Sequence, residues 1–414
     1  MSATTPNVGV RVFSDLSGST VAINARETYA GIALPMPNAD NSIEMHKPFA
    51  VSTTDTDTIG LIGDGLARDA IAQIASEGIH TDIIMVRCPE SADADNQLAE
   101  IAGDAANKTG AWALADAKSE LGIEPGLLLS PSYTNARPGN AANPVVTAFD
   151  GVCEHIIDCM AVMDTPETSR EDAVEAAADF AASLNVIAMY PSALVTLNSQ
   201  NLTRALSPHL VGATLRRDAE AGSPYKAAWN KPLKGIRGGS QSVSYRDGDT
   251  QHDANYLNQR GVGTVIENKL LWAPYSTATD PTTVGYRSIK RIRTRRSIEK
   301  AMLRALRAFN ASDLGPHLVT LVYESLAEAC QERVNVGALI DYELVWDSGL
   351  NPDNLLRAGG LAVKLKFEET PDLTDLQIYS EPQPEAFEIL RGRIATALQS
   401  IGNPNITVNQ ARAF

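Results

Sequence analysis

The sequence predicts an α/β fold: a mixed, largely parallel sheet covered by helices, continued by an α+β C-terminal unit and framed by an extended, strand-donating arm at each end. Three features point to it. Between residues 28 and 190, short apolar runs alternate with helical stretches of about ten residues or more, the pattern of parallel strands joined by crossover helices. Beyond residue 276 two helices, the first strongly amphipathic, precede two strands, the second with period-2 alternation. At both termini, short alternating stretches stand without a neighbouring strand to pair with. The predicted divisions are an N-terminal arm (1–25), an α/β core (26–275), a C-terminal α+β domain (276–400) and a C-terminal arm (401–414).

In the first arm Val8, Val10 and Val12 alternate with Gly9, Arg11 and Phe13, so the strand must pair with a distant strand or another chain. Strands follow at 29–36 and 49–52, then a helix at 65–78 with Leu66, Ala67, Ala70, Ile71, Ile74 and Ala75 on one face. The run 82–88 is a buried strand stopped by Pro89, and an Ala-rich helical region (96–121) precedes a strand at 126–130. A Pro/Asn/Gly loop (131–143) leads to a helix at 145–157 and a strand at 160–164. The next helix, 169–184, has Ser169 as its N-cap with Glu171 and Asp172 in the first turn. A strand at 186–190, a helix at 202–222 and a loop at 224–239 come next. The polar stretch 240–253 reads as mobile, and 262–266 with 269–272 as a hairpin.

The C-terminal helix 296–310 places Ile298, Ala301, Met302, Ala305, Leu306 and Phe309 on one stripe. After a helix at 317–334, strands at 339–346 and 361–367 set Val363, Leu365 and Phe367 against Lys364, Lys366 and Glu368. A helix at 384–400 is followed by the second arm, where Ile406 and Val408 show strand spacing.

Composition narrows the function. The chain has 414 residues, 44% of them hydrophobic and 21% charged, which suits an ordinary soluble protein of roughly two to four domains. No apolar run approaches the ~20 residues that span a bilayer, so membrane insertion is not expected. Met1-Ser-Ala-Thr-Thr-Pro-Asn7 lacks the basic and apolar regions of a signal peptide, which predicts folding in the cytoplasm. A net charge of −15 disfavours nucleic acid as a partner. Residues 287–307 depart from that balance, with nine Lys/Arg against the single acid Glu299. A basic band on an acidic body suits self-association, and Arg291, Arg293, Arg295 and Arg296 are the candidate charged interface, weakened by salt.

No stretch of the sequence carries a complete signature for catalysis or ligand binding. Gly222-Ser-Pro-Tyr-Lys226 lacks the glycines and hydroxyl of a phosphate loop. Gly63-Asp64-Gly65 before a helix could face a phosphorylated ligand, the basis of an alternative enzyme reading, but the third glycine of a dinucleotide fingerprint is missing and Asp64 repels phosphate. Gly238-Gly-Ser-Gln-Ser242 lies in a polar loop, the wrong setting for a nucleophile elbow. Asp247, Asp249, His252 and Asp253 read as a solvated turn. Cys153, His155 and Cys159 are close in sequence, yet on a helix Cys153 and Cys159 would diverge by about 240°. No second ligand pair is near, so buried free cysteines are expected in place of a zinc site. No catalytic residue, cofactor or metal is predicted. Trp229, Trp272 and Trp346 are read as core anchors, with an interface hot spot as the alternative for any one of them.

The order of motifs resembles contractile phage tail sheath proteins, in the short form of temperate myophages that lacks large inserted domains. Gly9-Val-Arg-Val-Phe13 is similar to the family's N-terminal Gly-Val-x-Val arm. Lys47-Pro-Phe-Ala-Val-Ser52 and Asp82-Ile-Ile-Met-Val-Arg87 resemble its Lys-Pro strand and its Val-rich strand ending in Arg. The helix to Asp218 and Gly222-Ser-Pro-Tyr-Lys-Ala-Ala-Trp-Asn230 correspond to its Asp…Gly…Lys-x-x-x-Asn run. Tyr256-Leu-Asn258 with Gly261-Val262, Leu271-Trp272, then Asp341, Asn351-Pro352, Gly359-Gly360 and Pro371 complete the series. The family's Gly-x-Arg-Thr after that tryptophan is replaced by Ala273-Pro-Tyr-Ser276. The resemblance implies a structural subunit that polymerises helically around a tail tube protein, contacts baseplate and tail terminator proteins, and resides in the virion tail after assembly in the host cytoplasm. It implies arms that add strands to neighbouring subunits, and contraction that consumes no nucleotide and drives the tube through the host envelope for genome delivery.

Overall fold

A computed structural model describes residues 28–409; the alternating valines Val8, Val10 and Val12 lie outside the described residues. The chain begins with β1 (Tyr29–Pro35), β2 (Pro48–Ser52), α1 (Thr56–Ile62), α2 (Leu66–Ser76) and β3 (Asp82–Cys88). α3 (Ala94–Ala102), a 3-10 stretch (Gly110–Asp116) and α4 (Ala117–Leu121) lead to β4 (Pro125–Leu129). Then α5 (Pro144–His155), β5 (Met160–Asp164), α6 (Arg170–Ala178) and β6 (Val186–Met189) alternate. β7 (Ala193–Leu197) and β8 (Gln200–Arg204) precede α7 (Ser207–Ala221), β9 (Ile236–Gly239), α8 (Asp253–Gln259), β10 (Val262–Ile266) and β11 (Leu270–Trp272). The C-terminal part comprises α9 (Ile289–Leu306), α10 (Pro316–Asn335), β12 (Leu339–Val345), α11 (Asp353–Arg357), β13 (Lys364–Glu369) and α12 (Ala386–Ser400).

The main sheet has eight strands in the order β11-β10-β6-β5-β4-β1-β3-β2, parallel through its middle with an antiparallel strand at each edge. Both faces are covered, as the unbroken apolar strands require. Successive side chains of β1 point to opposite sides: Ile32 and Leu34 join Ile71, Ile74 and Leu210, while Ala33 joins Ile84, Leu114 and Phe149. Two smaller sheets, β8-β7-β9 and β12-β13, complete the architecture, so the mixed α/β body with an α+β C-terminal part is the observed fold.

Several boundaries differ from the sequence reading, each for a local reason. The 96–121 region is broken where Gly103 and Gly110 take φ of 69° and 56°. The segment from 202 is not all helix. Asn198 and Ser199 adopt φ of 48° and 62° and turn the chain into the β7–β8 hairpin, so α7 begins only at Ser207. α6 keeps its Ser169 cap, which accepts from Asp172 N, but stops at Ala178. α9 starts earlier than expected, at Ile289, because Ser288 caps it by accepting from Arg291 N.

Two buried carboxylates lock helices to the sheet. Glu77, fully buried after α2, accepts from His209 Nδ1 at 2.9 Å, Arg216 Nη1 at 3.1 Å, Lys234 N at 2.8 Å and Gly235 N at 3.0 Å. α7 can come this close because residue 212 is glycine; a Cβ there would lie 2.9 Å from Ile74 O and from Glu77 Cγ. Asp164, at the end of β5, accepts from Leu206 N, Ser207 N and Ser207 Oγ at 3.0, 2.9 and 2.6 Å, supplying α7 with the N-terminal cap its own sequence lacks.

Burial pushes the Asp164 carboxyl up to about 6, the Ser207 and Leu206 hydrogen bonds opposing it. A carboxyl whose folded value is raised contributes fully in acid, and stability falls as pH rises from the ordinary aspartate range through that value. Asp164→Asn keeps the acceptor for both amides and cannot ionise, so it should gain on wild type between about pH 4 and about pH 7 in urea denaturation. Asp164→Ala, which strands all three donors, should lose on the order of 1–3 kcal/mol at either pH.

In the C-terminal part, Ile298, Met302, Leu326, Cys330 and Leu339 form a separate apolar cluster, with Leu344, Leu365 and Phe367 packed against it. The chain divides into two compact units, one ending at Asp372 and the other running from Leu373. In the second unit Phe387, Leu390, Ile394, Leu398 and Ile401 recur at helical spacing along α12 and its end, all of them exposed.

Candidate assembly interface

The basic band falls on α9, and its charges are engaged within the chain. Arg291 pairs with Glu368 and, at 3.2 Å, with Glu369; Arg295 Nε lies 2.5 Å from Glu369 Oε1 and its guanidinium stacks on Phe367. Arg293 is 5% exposed and grips Asp218 with both terminal nitrogens, while donating to Thr28 Oγ1 at 3.3 Å. Arg296 donates to Cys159 O at 2.7 Å and to Asn185 Oδ1. Lys290 reaches Thr370 O, and Lys300, Arg304 and Lys118 surround Glu124 at 3.0–3.1 Å. Burial acts to raise the Glu124 carboxyl, but Lys300 and Lys118 outweigh it and hold it below its ordinary range.

The sequence reading placed Arg291, Arg293, Arg295 and Arg296 at a subunit interface. In the structure all four fasten α9 to β13, to α7 and to the α5–β5 connection. The reason is position: Ile292 and Ile298 on α9 are buried in two different clusters, so the arginines between them meet acids and carbonyls of this chain. Such desolvated pairs act as fixed joints, since removing one partner strands the other.

Edges remain. Among the described residues β12 and β13 pair only with each other, over Leu339–Val345 and Lys364–Glu369, and each keeps an open outer edge. Ile340 and Trp346 stand 56% and 48% exposed there, so Trp346 is no core anchor. Trp229 and Trp272 are half-buried and meet edge to face at 5.2 Å, with Trp229 Nε1 donating to Asp372 at 3.3 Å. Of the C-terminal arm residues, Ile406 is exposed and Val408 half-buried, and 403–409 contain no strand. A two-stranded antiparallel ribbon is marginal alone and invites further strands.

The candidate ligand sites resolve into local chemistry. A Cβ on Gly63 would fall 2.4 Å from Asn38 O, so that glycine serves the close passage between α1 and residue 38. Asp64 pairs with Arg68 and its carbonyl accepts from Asn38 Nδ2. Asp249 caps the Gln251 amide, His252 caps α8, and Asp253 binds Ser244 and Arg170. No group of three or more potential metal ligands occurs among the described residues.

One expectation fails instructively. The helical-wheel argument that separated Cys153 from Cys159 assumed one continuous helix, but α5 ends at His155. Residues 156–158 fold back and bring the two sulfurs to 3.2 Å, while exposed His155 packs edge-on against Trp112.

A covered, mostly parallel sheet carrying an open two-stranded ribbon defines the class: the fold of contractile-apparatus sheaths. The contracted-state sheath complex of an extracellular contractile injection system, PVC, aligns over 93% of this chain and 99% of its own, with a TM-score of 0.66 at 15% identity. The contracted helical sheath of the anti-feeding prophage aligns over 92% and 100%, with a TM-score of 0.65 at 17% identity. By sequence, a protein named as the prophage major tail sheath of Pseudomonas aeruginosa (strain UCBPP-PA14) is 26% identical over 364 residues, 86% of this chain and 91% of its own. The tail sheath protein of Burkholderia phage BcepMu is 25% identical, covering 69% of this chain and 61% of its own. No protein-family model matches the chain. By sequence over most of its length and by fold, the chain is similar to contractile tail sheath proteins.

Proposed function

We propose that this sheath subunit polymerises helically around a tail tube protein, is bounded by baseplate and tail terminator proteins, and contracts to drive the tube through a host envelope. In this reading it assembles in the host cytoplasm and acts without catalysis or nucleotide. The observation that carries it is the β12–β13 ribbon, whose outer edges are open among the described residues, in a chain whose two ends show strand-like alternation with no neighbouring strand in the sequence. Residues around Val8, Val10 and Val12, and around Ile406 and Val408, complete such ribbons on neighbouring subunits, each subunit lending what it lacks itself. A head-to-tail contact of this kind does not close on itself and therefore builds a tube. The internally paired α9 keeps each body rigid while bodies slide past one another.

Electron microscopy of the purified full chain, alone and mixed with its tube protein, tests this. Tubes or stacked rings are expected. Monomers under every condition, over a range of salt and concentration, would count decisively against it.

A further inference from the structure

Among the described residues, Cys153 and Cys159 are a close pair of thiols that neither the fold nor the assembly reading uses. Cys153 sits in the last turn of α5, Cys159 just before β5, and their sulfurs are 3.2 Å apart with both residues 3% exposed or less. Cys88 and Cys330 are equally buried; Cys88 shares the apolar cluster of the pair, where its sulfur faces Val86 O, and Cys330 lies in another cluster, so neither makes a thiol–thiol contact among the described residues. Arg296 holds the Cys159 carbonyl at 2.7 Å, fixing that end of the connection to α9. Above it, Ile157 is 41% exposed, and Cys153 lines a shallow surface depression together with Asp150, Ile157, Asn185 and Arg296.

We propose that Cys153 and Cys159 form a dithiol that closes to an intrachain disulfide when the chain meets a low-molecular-weight disulfide, with Cys153 attacking first and Cys159 resolving. The order follows from access, since Cys153 lines the depression. The Cys153 thiolate attacks one sulfur of the small disulfide and expels the first small thiolate. Cys159 then attacks the Cys153 sulfur of the mixed disulfide, an S–S bond forms between them, and the second small thiolate leaves. The two cysteines lose one proton each and the electron pair passes to the small disulfide, which ends as two thiols. Burial and the partner sulfur both push the Cys153 thiol up, so closure is slow near neutrality and quickens in alkali. The link staples the end of α5 to the start of β5, across the connection that Arg296 ties to α9.

The test is to incubate the folded full chain with oxidised glutathione at mildly alkaline pH, quench in acid and measure the intact mass, then unfold in excess alkylating agent so that free thiols are capped as they emerge, and map the digest. The expected product is lighter by two hydrogens, the loss confined to the fragment holding both cysteines, with Cys88 and Cys330 still reduced. Cys159→Ser should stop with one glutathione on Cys153, and Cys153→Ser should take up none. A folded wild-type chain that keeps all its thiols, while the urea-unfolded chain closes, would overturn the proposal, as would a link to Cys88 or Cys330. An adduct on Cys153→Ser would overturn the order of attack. If the serine variants fail to fold, the wild-type mass alone decides.

Discussion

Deleting residues 403–414 yields a chain that folds as before and no longer polymerises. The first half of that expectation rests on packing. The unit ending at Asp372 contains the whole eight-stranded sheet, both of its cores and the α9–α10 cluster, and among the described residues none that forms these clusters lies beyond 402. The second half rests on what 403–409 lack: no strand, and no backbone ladder to hold Ile406 and Val408 in the alternation their spacing prescribes. A segment that finds its ladder only on another subunit contributes nothing to the monomer and everything to the joint. Because every subunit in a tube must lend it, the loss should be all or none. Circular dichroism and thermal melting should match the full chain, while sedimentation and microscopy show monomers. The same holds for removal of residues 1–18. A truncated chain that still forms tubes would remove the arms from the mechanism.

Replacing Glu77 by Ala should cost roughly 3–5 kcal/mol, because His209 and the Lys234 and Gly235 amides lose their acceptor, and buried Arg216, left with the Glu77 and Pro232 carbonyls, loses its countercharge. Set against a typical total of about 5–15 kcal/mol, that is enough to unfold much of the population at moderate urea. Glu77→Gln should be hardly better, since its amide would turn a donor toward Arg216 or Lys234 N. Burial acts to raise the Glu77 carboxyl, but the His209 side chain and the Lys234 and Gly235 amides prevail and hold it below its ordinary range. A depressed folded value means the stabilisation is present above the ordinary glutamate range and fades as pH falls through the folded value. The gap between wild type and Glu77→Gln should therefore be widest near neutrality and narrow in acid. A gap that stays constant with pH would show that Glu77 is not ionised in the fold.

What could be read in the sequence was what period and punctuation encode. Asp82–Cys88 and Met160–Asp164 are observed as predicted, because an unbroken apolar run between polar or proline-marked ends has little else to become. The hairpin before α7 was missed because Asn198 and Ser199 signal a turn only through their positive φ, and the helical pattern after Leu202 overshadowed them. Long-range polar chemistry was wholly hidden. Glu77 and His209 stand 132 residues apart in sequence, and nothing in either helix announces a buried carboxylate and its donors. The basic band was visible as charge, but its role depended on where Asp218, Glu124 and Glu369 arrive, which is tertiary information.

The place of β1 in the sheet has a mechanical consequence. It is an interior strand, bonded to β3 over Ala30–Pro35 and to β4 over Tyr29–Ile32, and the chain enters it directly from Thr28, which Arg293 holds. A pull along the chain at Thr28 therefore acts parallel to the strand and loads the hydrogen bonds on both flanks together, in shear. Had the leading segment joined an edge hairpin, the same pull would have opened bonds one at a time. On the proposed reading, in which residues before Thr28 join neighbouring subunits, tension entering at Thr28 is met by the middle of the sheet, so the body can be hauled from that point without unravelling.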